Sequence, residues 1–188
     1  MIFHKSDENC FEKTVSLLKK GKIAILPTDT VYGFSGIVDD DSGCDSKIRI
    51  IKGREESKPM IQLISSPEDL FRYTNDKIPS ELLFYWPGPL TIIVNDLRTG
   101  NTTAFRCPGD KWLRDVIREA GKPLYSTSVN RSGFPVLQKE KDIISEFEKE
   151  ADVIVLDGDT KNGLPSTIVG IEKGTVKIIR QGCLEIKL

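Results

Sequence analysis

An apolar run ends at Pro27, and the residues after it are unusual: Thr28 and Thr30 flank Asp29, and Tyr32 follows within PTDTVYGFSG. A plain turn asks for Gly or Asn rather than a row of hydroxyls. Polar groups sit beside apolar runs again in KGREESKP at 52–59, from Thr102 to Arg106, in STSVNRSG at 126–133, in PST at 165–167 and at Arg180. Segments that leave strands converge on one rim of an α/β sheet, where ligand sites form. Hydroxyls, an amide and cations gathered there suit anionic oxygens.

Each segment also has a plainer reading. KGREESK is either a solvated turn, as charge runs usually are, or a clamp on polyphosphate oxygens built from Lys52, Arg54 and Lys58 around Gly53. STSVNRSG is either a turn capped by its own Ser and Asn, or a holder of nucleotide phosphate or ribose through Ser128 and Asn130, with Gly133 letting the backbone approach. Arg106 is either a surface arginine paired with an acid or a bidentate grip on a small carboxylate. Tyr32 and Phe34 read as packing residues, and Cys10, Cys44, Cys107 and Cys183 as core fillers.

What is scarce narrows the chemistry. His4 is the single histidine, in an N-terminal segment that reads as exposed. That disfavours Ser-His-Asp and Cys-His mechanisms, and no His/Cys cluster has zinc-ligand spacing. An enzyme built from these residues works by positioning and charge. The 27 basic and 28 acidic residues nearly cancel, which argues against coating nucleic acid with the whole surface and leaves a local basic cleft open. The start of the chain is polar and unlike a signal peptide, and no apolar run approaches the roughly 18 residues of a membrane span. Scattered cysteines without C-x-x-C spacing read as reduced thiols, so a cytoplasmic protein with no membrane contact is expected.

The elements that must position these groups follow from hydrophobic period and stop signals. Helices are expected in ENCFEKTVSLLKKGK, with Cys10, Phe11, Thr14, Leu17 and Leu18 on one face, and in DSKIRIIKG up to Gly53. A serine-capped helix is expected in SPEDLF, and another in PSELLFYW. GDKWLRDVIREAGKP, capped by Asp110, and EKDIISEFEKEAD complete the helices. Strands are expected in IAILP, PMIQLI, LTIIV, TTAFRCP, LYSTS and VIVLDG, and STIVGIEKGTVKIIRQG reads as a hairpin turned at Lys173-Gly174. Interleaved strands and helices with strands clustered at the end give one α/β domain over 1–188, with a twisted mixed sheet flanked by helices.

Taken in order, PTDTVYGFSG, KGREESKPM, WPGPLTIIV, RCP, STSVNRSG, PSTIVGI and IIRQG resemble the YrdC-like L-threonylcarbamoyladenylate synthase family, in its stand-alone single-domain form. The resemblance runs from about Gly21 to Gly182. It implies an α/β fold around a deep, positively lined cavity. It also implies a nucleotidyltransferase reaction: L-threonine, bicarbonate or CO2, and ATP give L-threonylcarbamoyladenylate and pyrophosphate. A separate transferase complex then moves the threonylcarbamoyl group onto adenosine 37 of tRNA.

Carried over residue by residue, the resemblance assigns Lys52 and Arg54 to a catalytic K-x-R phosphate clamp. Thr102, Ser128, Asn130 and Arg180 match ATP contacts, with Lys58 beside them. Thr30, Arg106 and Ser166 match L-threonine contacts, with Arg106 on the carboxylate. The implied cofactor is Mg2+ carried by ATP, with no protein metal ligands assigned. The chain departs from the family pattern at Glu55-Glu56, where proline is frequent, and at Lys58, where asparagine is frequent. Two other readings stay open: a carbamoyl-adenylate enzyme of the hydrogenase-maturation type, and a module that uses the same basic cavity to bind tRNA or double-stranded RNA.

Overall fold

Nearly every apolar run becomes a strand of one sheet. The computed structural model describes residues 1–55, 58–160, 163–172 and 175–186. In chain order the strands are β1 (Ile2–His4), β2 (Ala24–Leu26), β3 (Gly33–Ile37), β4 (Ile61–Leu63), β5 (Leu90–Asn95), β6 (Thr102–Arg106), β7 (Leu124–Ser128), β8 (Val153–Leu156), β9 (Thr167–Glu172) and β10 (Thr175–Arg180). They lie in the order β1-β8-β2-β3-β7-β4-β6-β5-β9-β10. Parallel pairs (β1/β8, β2/β8, β4/β6, β5/β9) mix with antiparallel ones, as the interleaving predicts. The helices are α1 (Cys10–Lys19), α2 (Cys44–Lys52), α3 (Ser80–Leu83), α4 (Lys111–Ala120) and α5 (Glu140–Phe147).

Two apolar cores sit against the sheet. One packs α1, α2, α4 and α5 on β2, β3, β7 and β8, with Leu18, Ile48, Val116 and Phe147 fully enclosed. The other joins Ile92, Val94, Phe105 and Val169 of β5, β6 and β9 to Leu70, Leu82 and Trp86. Successive strand side chains point to opposite faces. With Phe105 and Ile92 turned into the second core, Arg106, Ala104, Thr91, Ile93 and Ile168 face the other way, and the site is built on that face.

Local signals explain the helix ends. Asp110 caps α4 by accepting from the Leu113 N–H at 2.8 Å, and Gly121 ends it at φ 81°. Gly53 closes α2 at φ 61°, so the chain turns sharply before Arg54.

Several expectations need correction. Ser66-Pro67 starts a 3-10 helix over Pro67–Arg72 with a capping box to Asp69, and not an α-helix, while α3 spans only four residues. The N-terminal segment contributes edge strand β1, although His4 itself is exposed. Cys183 is exposed and fills no core, unlike the other three cysteines. The β9–β10 pair is antiparallel as expected, and its turn at Lys173-Gly174 lies outside the described residues.

The largest correction is β3. The sequence reading assigns no element to Gly33-Phe34-Ser35-Gly36, yet the segment forms a wholly buried central strand between β2 and β7. Its glycines answer a need for close approach. A Cβ on Gly36 would lie 2.7 Å from Cys44 Cβ on α2, and one on Gly33 would lie 2.9 Å from Ser126 Oγ. Gly36→Ala should therefore destabilise the protein by about 1–3 kcal/mol, the usual cost of overpacking. Urea unfolding checks this; an unchanged midpoint would mean that α2 can move outward freely.

Candidate functional site

A cavity of about 320 Å³ opens on the face of the sheet opposite the second core. The β2–β3 turn, the segment after α2, the C-terminal ends of β6 and β7, and the start of β9 with the end of β10 all reach it. They bring Thr30, Arg54, Arg106, Ser128, Ser166 and Arg180 to one wall system. Those six of the expected site residues meet in space despite lying up to 150 positions apart in the chain.

Arg106 is 5% exposed, so its charge must be met by oxygen atoms. Its Nη2 donates to Asp29 Oδ1 at 2.5 Å, its Nη1 to Thr30 Oγ1 at 2.9 Å and its Nε to Gly88 O at 3.1 Å. These bonds use three of the five N–H groups of a guanidinium. Thr28 keeps the turn in place: it donates to Val31 O at 2.8 Å and accepts from the Thr30 N–H at 3.0 Å. Because the hydroxyl hydrogen of Thr28 is engaged there, Thr30 is the donor at the 3.0 Å contact between the two hydroxyls. A ligand oxygen at the cavity wall can take that hydrogen instead.

Ser166 and Arg180 form the opposite side. Ser166 is 2% exposed, with its hydroxyl 2.8 Å from that of buried Thr91 on β5. Arg180 donates through Nη2 to Ser166 O at 2.8 Å. Burial and the nearby Arg106 charge lower the pKa of Arg180. Arg54 donates from Nε and Nη2 to Lys58 O and Pro59 O, at 3.1 and 3.0 Å, and burial and the Arg49 charge lower its pKa as well. Both groups keep their charge, because an arginine pKa lies far above neutrality. Asp29 balances Arg106, whereas Arg54 and Arg180 form no ion pair among the described residues, which leaves the cavity positive.

Four expected site residues stand elsewhere. Lys52 is 2% exposed and turns away from the cavity, bonding to the oxygens of Ser128 and Asn130. Its three hydrogens are engaged by Ser128 O, Asn130 O and Asn130 Oδ1, away from the cavity where the phosphate contact is expected. Asn130, an expected ATP contact, is engaged in the same way: its Oδ1 accepts from Lys52 and Ser128, and its Nδ2 donates to Arg131 O and Phe134 O. Lys58 is exposed and pairs with Glu55 at 3.2 Å, outside the cavity. Glu56 lies outside the described residues. Thr102 shares the face of Arg106 by strand alternation but lies four residues away, roughly 13 Å along β6. It lines a second hollow of about 520 Å³ at that end of the same face.

The sequence reading missed the carboxylate role of Asp29, the Gly88 carbonyl, and Thr91 as the partner of Ser166. Thr91 carried a usable signal, a hydroxyl in an otherwise apolar strand. The other two depend on which distant segment folds against them.

A family model described as Telomere recombination, the Sua5/YciO/YrdC model, matches residues 16–182. A putative threonylcarbamoyl-AMP synthase of Methanocaldococcus jannaschii is 31% identical to the chain, over 94% of this chain and 89% of that protein. A threonylcarbamoyl-AMP synthase of Pyrococcus abyssi is 29% identical, over 90% of this chain and 53% of its own length. The chain thus spans about half the length of that curated relative. Among solved structures, P. abyssi Sua5 complexed with L-threonine superposes with a TM-score of 0.85 at 26% identity, covering 97% of this chain and 57% of that one.

The Arg106–Asp29 pair makes a direct prediction. Asp29→Ala leaves a buried guanidinium without its counter-ion, a loss worth about 3 kcal/mol when one partner of such a pair is removed. Urea unfolding of the variant should show that loss. Wild-type stability would mean that Thr30 and Gly88 alone satisfy Arg106.

Proposed function

Because the chain belongs to the Sua5/YciO/YrdC family, we propose that it is an L-threonylcarbamoyladenylate synthase, joining L-threonine, CO2 or bicarbonate, and ATP with release of pyrophosphate. One observation supports the reading above all: the cavity holds three guanidiniums, of which one is matched by a carboxylate and flanked by hydroxyls, while the other two form no ion pair among the described residues. The first suits the carboxylate of an amino acid, and the other two suit phosphates. The naming of curated relatives and the L-threonine complex of a structural relative point the same way.

The chemistry needs no enzyme nucleophile. The amine of threonine adds to CO2 and loses a proton, giving a carbamate. A carbamate oxygen attacks the α-phosphorus of ATP, the bond to the bridging oxygen breaks, and pyrophosphate leaves. Arg106, with Thr30 and Ser166, orients the amino acid, and Arg54, Arg180 and Ser128 hold the nucleotide. Thr102, farther along the same face, is within the span of an extended nucleotide. Alignment and charge stabilisation carry the rate. The lining offers guanidiniums and hydroxyls, a donor set that suits Mg2+ arriving on the phosphates of ATP better than a resident metal. The adenylate product would pass to a tRNA threonylcarbamoyl transferase complex.

Pyrophosphate release should require L-threonine, bicarbonate and MgATP together, tested by omitting each in turn. Equal release with and without threonine would overturn the assignment, and a preference for carbamoyl phosphate would favour the hydrogenase-maturation chemistry.

The two arginines should separate the substrates. Arg106→Ala should weaken L-threonine binding by roughly 30-fold or more, from a cost of about 2–5 kcal/mol for truncating one side of a desolvated charge pair. ATP binding should change much less, and Arg180→Ala should show the reverse bias. Calorimetric titration of both variants, alongside thermal melts, decides the matter. Equal losses for both ligands in an Arg106→Ala protein that melts like wild type would remove Arg106 from the amino-acid site.

A further inference from the structure

The end of α2 and the segment after β7 are locked together in both directions. From α2, Lys52 Nζ donates to Ser128 O, to Asn130 O at 2.9 Å and to Asn130 Oδ1 at 3.0 Å. From the segment, the Ser132 N–H donates to Lys52 O at 2.7 Å and the Arg131 guanidinium to Ile51 O. The last carbonyls of a helix have no partner within it, so these donors complete α2. Ser128 also donates to Asn130 Oδ1 at 2.7 Å, and Leu137 N–H to Val129 O at 2.9 Å. Two cavity residues flank this lock: Arg54, two positions beyond Lys52, and Ser128, whose carbonyl Lys52 holds.

We propose that Lys52 is a positioning residue that fixes Arg54 and Ser128 relative to each other across the cavity wall without touching substrate. The inference rests on the proposed reaction only for its ligand-binding test. Lys52 meets little other charge. Arg54 repels it, Arg131 approaches from the segment with its own charge matched by Glu146 and Glu150, and the Phe34 ring lies 5.5 Å from Nζ. Burial, helped by Arg54, pulls the ammonium down to about 7. Three oxygen acceptors oppose that shift, because only the protonated form has a hydrogen for each.

Lys52→Met keeps the stem and removes the donors and the buried charge together, so global stability is not the measurement. Amide exchange at Ser132 and Leu137 should accelerate at least about 10-fold relative to Ile117 in α4, as local opening becomes easier. Affinity for MgATP should fall by about 10-fold, while affinity for L-threonine stays within about 2-fold.

Wild-type protein supplies a second measurement that needs no variant to fold. The folded pKa of Lys52 lies below its ordinary value, so the opened state binds more protons between about pH 7 and 10.5, and the closed lock gains as pH rises through that window. Protection at Ser132, corrected for base-catalysed exchange, should therefore increase from about pH 7 to 9, and this trend should vanish in Lys52→Met. Unchanged Ser132 protection in the variant or equal weakening of both ligands would overturn the proposal, whereas a flat wild-type pH profile would mean that the three acceptors outweigh burial and keep all three bonds of the lock in place. A wild-type protein that releases no pyrophosphate would remove the reaction instead, and the exchange experiments would still decide the lock.

Discussion

A guanidinium 5% exposed has to be surrounded by oxygens, and meeting that demand at Arg106 organises this end of the molecule. Three segments converge on it: the β2–β3 turn with Asp29 and Thr30, the Gly88 carbonyl, and β6 itself. The Gly88 N–H in turn donates to Cys107 O at 2.9 Å, which ties that loop to the residue after Arg106. The hydroxyls after Pro27 therefore have a physical explanation. They hold a turn against a cation and leave part of that cation facing the cavity.

The sheet makes this possible by dividing labour between its faces. Along β5 and β6, alternate residues go to an apolar core on one side and to the site on the other. A one-residue slip of β6 would exchange Phe105 for Arg106, placing a charge in the core and a ring in the cavity. Register is thus specified by two incompatible environments at once. The pairings of β6 with β4 and β5 hold it there.

Much of this architecture was legible in the sequence, because helices with an apolar stripe and a stop residue announce themselves; α4, with Asp110 and Gly121 at its ends, is the clearest case. β3 was not legible. Its two glycines serve neighbours distant in sequence, Cys44 and Ser126, and nothing local distinguishes that need from a turn. The site divided in the same way. Thr30, Arg54, Arg106, Ser128, Ser166 and Arg180 are recognisable by type and by position beside strands. Sequence spacing could not reveal which cations point inward. Lys52 and Arg54 are two residues apart, yet the left-handed turn at Gly53 sends one into the wall and the other into the cavity.

That division matters for the electrostatics of the cavity. Arg180 lies near enough to Arg106 for the two charges to raise each other's energy, and Asp29 offsets this on one side only. An anion entering the cavity relieves it. A carboxylate at Arg106 and a phosphate at Arg180 would relieve the same repulsion, so the first ligand to bind takes up stabilisation that the second can no longer gain in full. The carbamate and the α-phosphate would nevertheless have to approach within bonding distance for the proposed reaction, and the cations of the cavity would offset the repulsion between them. A lysine ammonium placed among them would add charge to an already positive cavity. Holding Lys52 in the wall, with its hydrogens on the segment that carries Ser128, keeps the geometry of the cations without adding another.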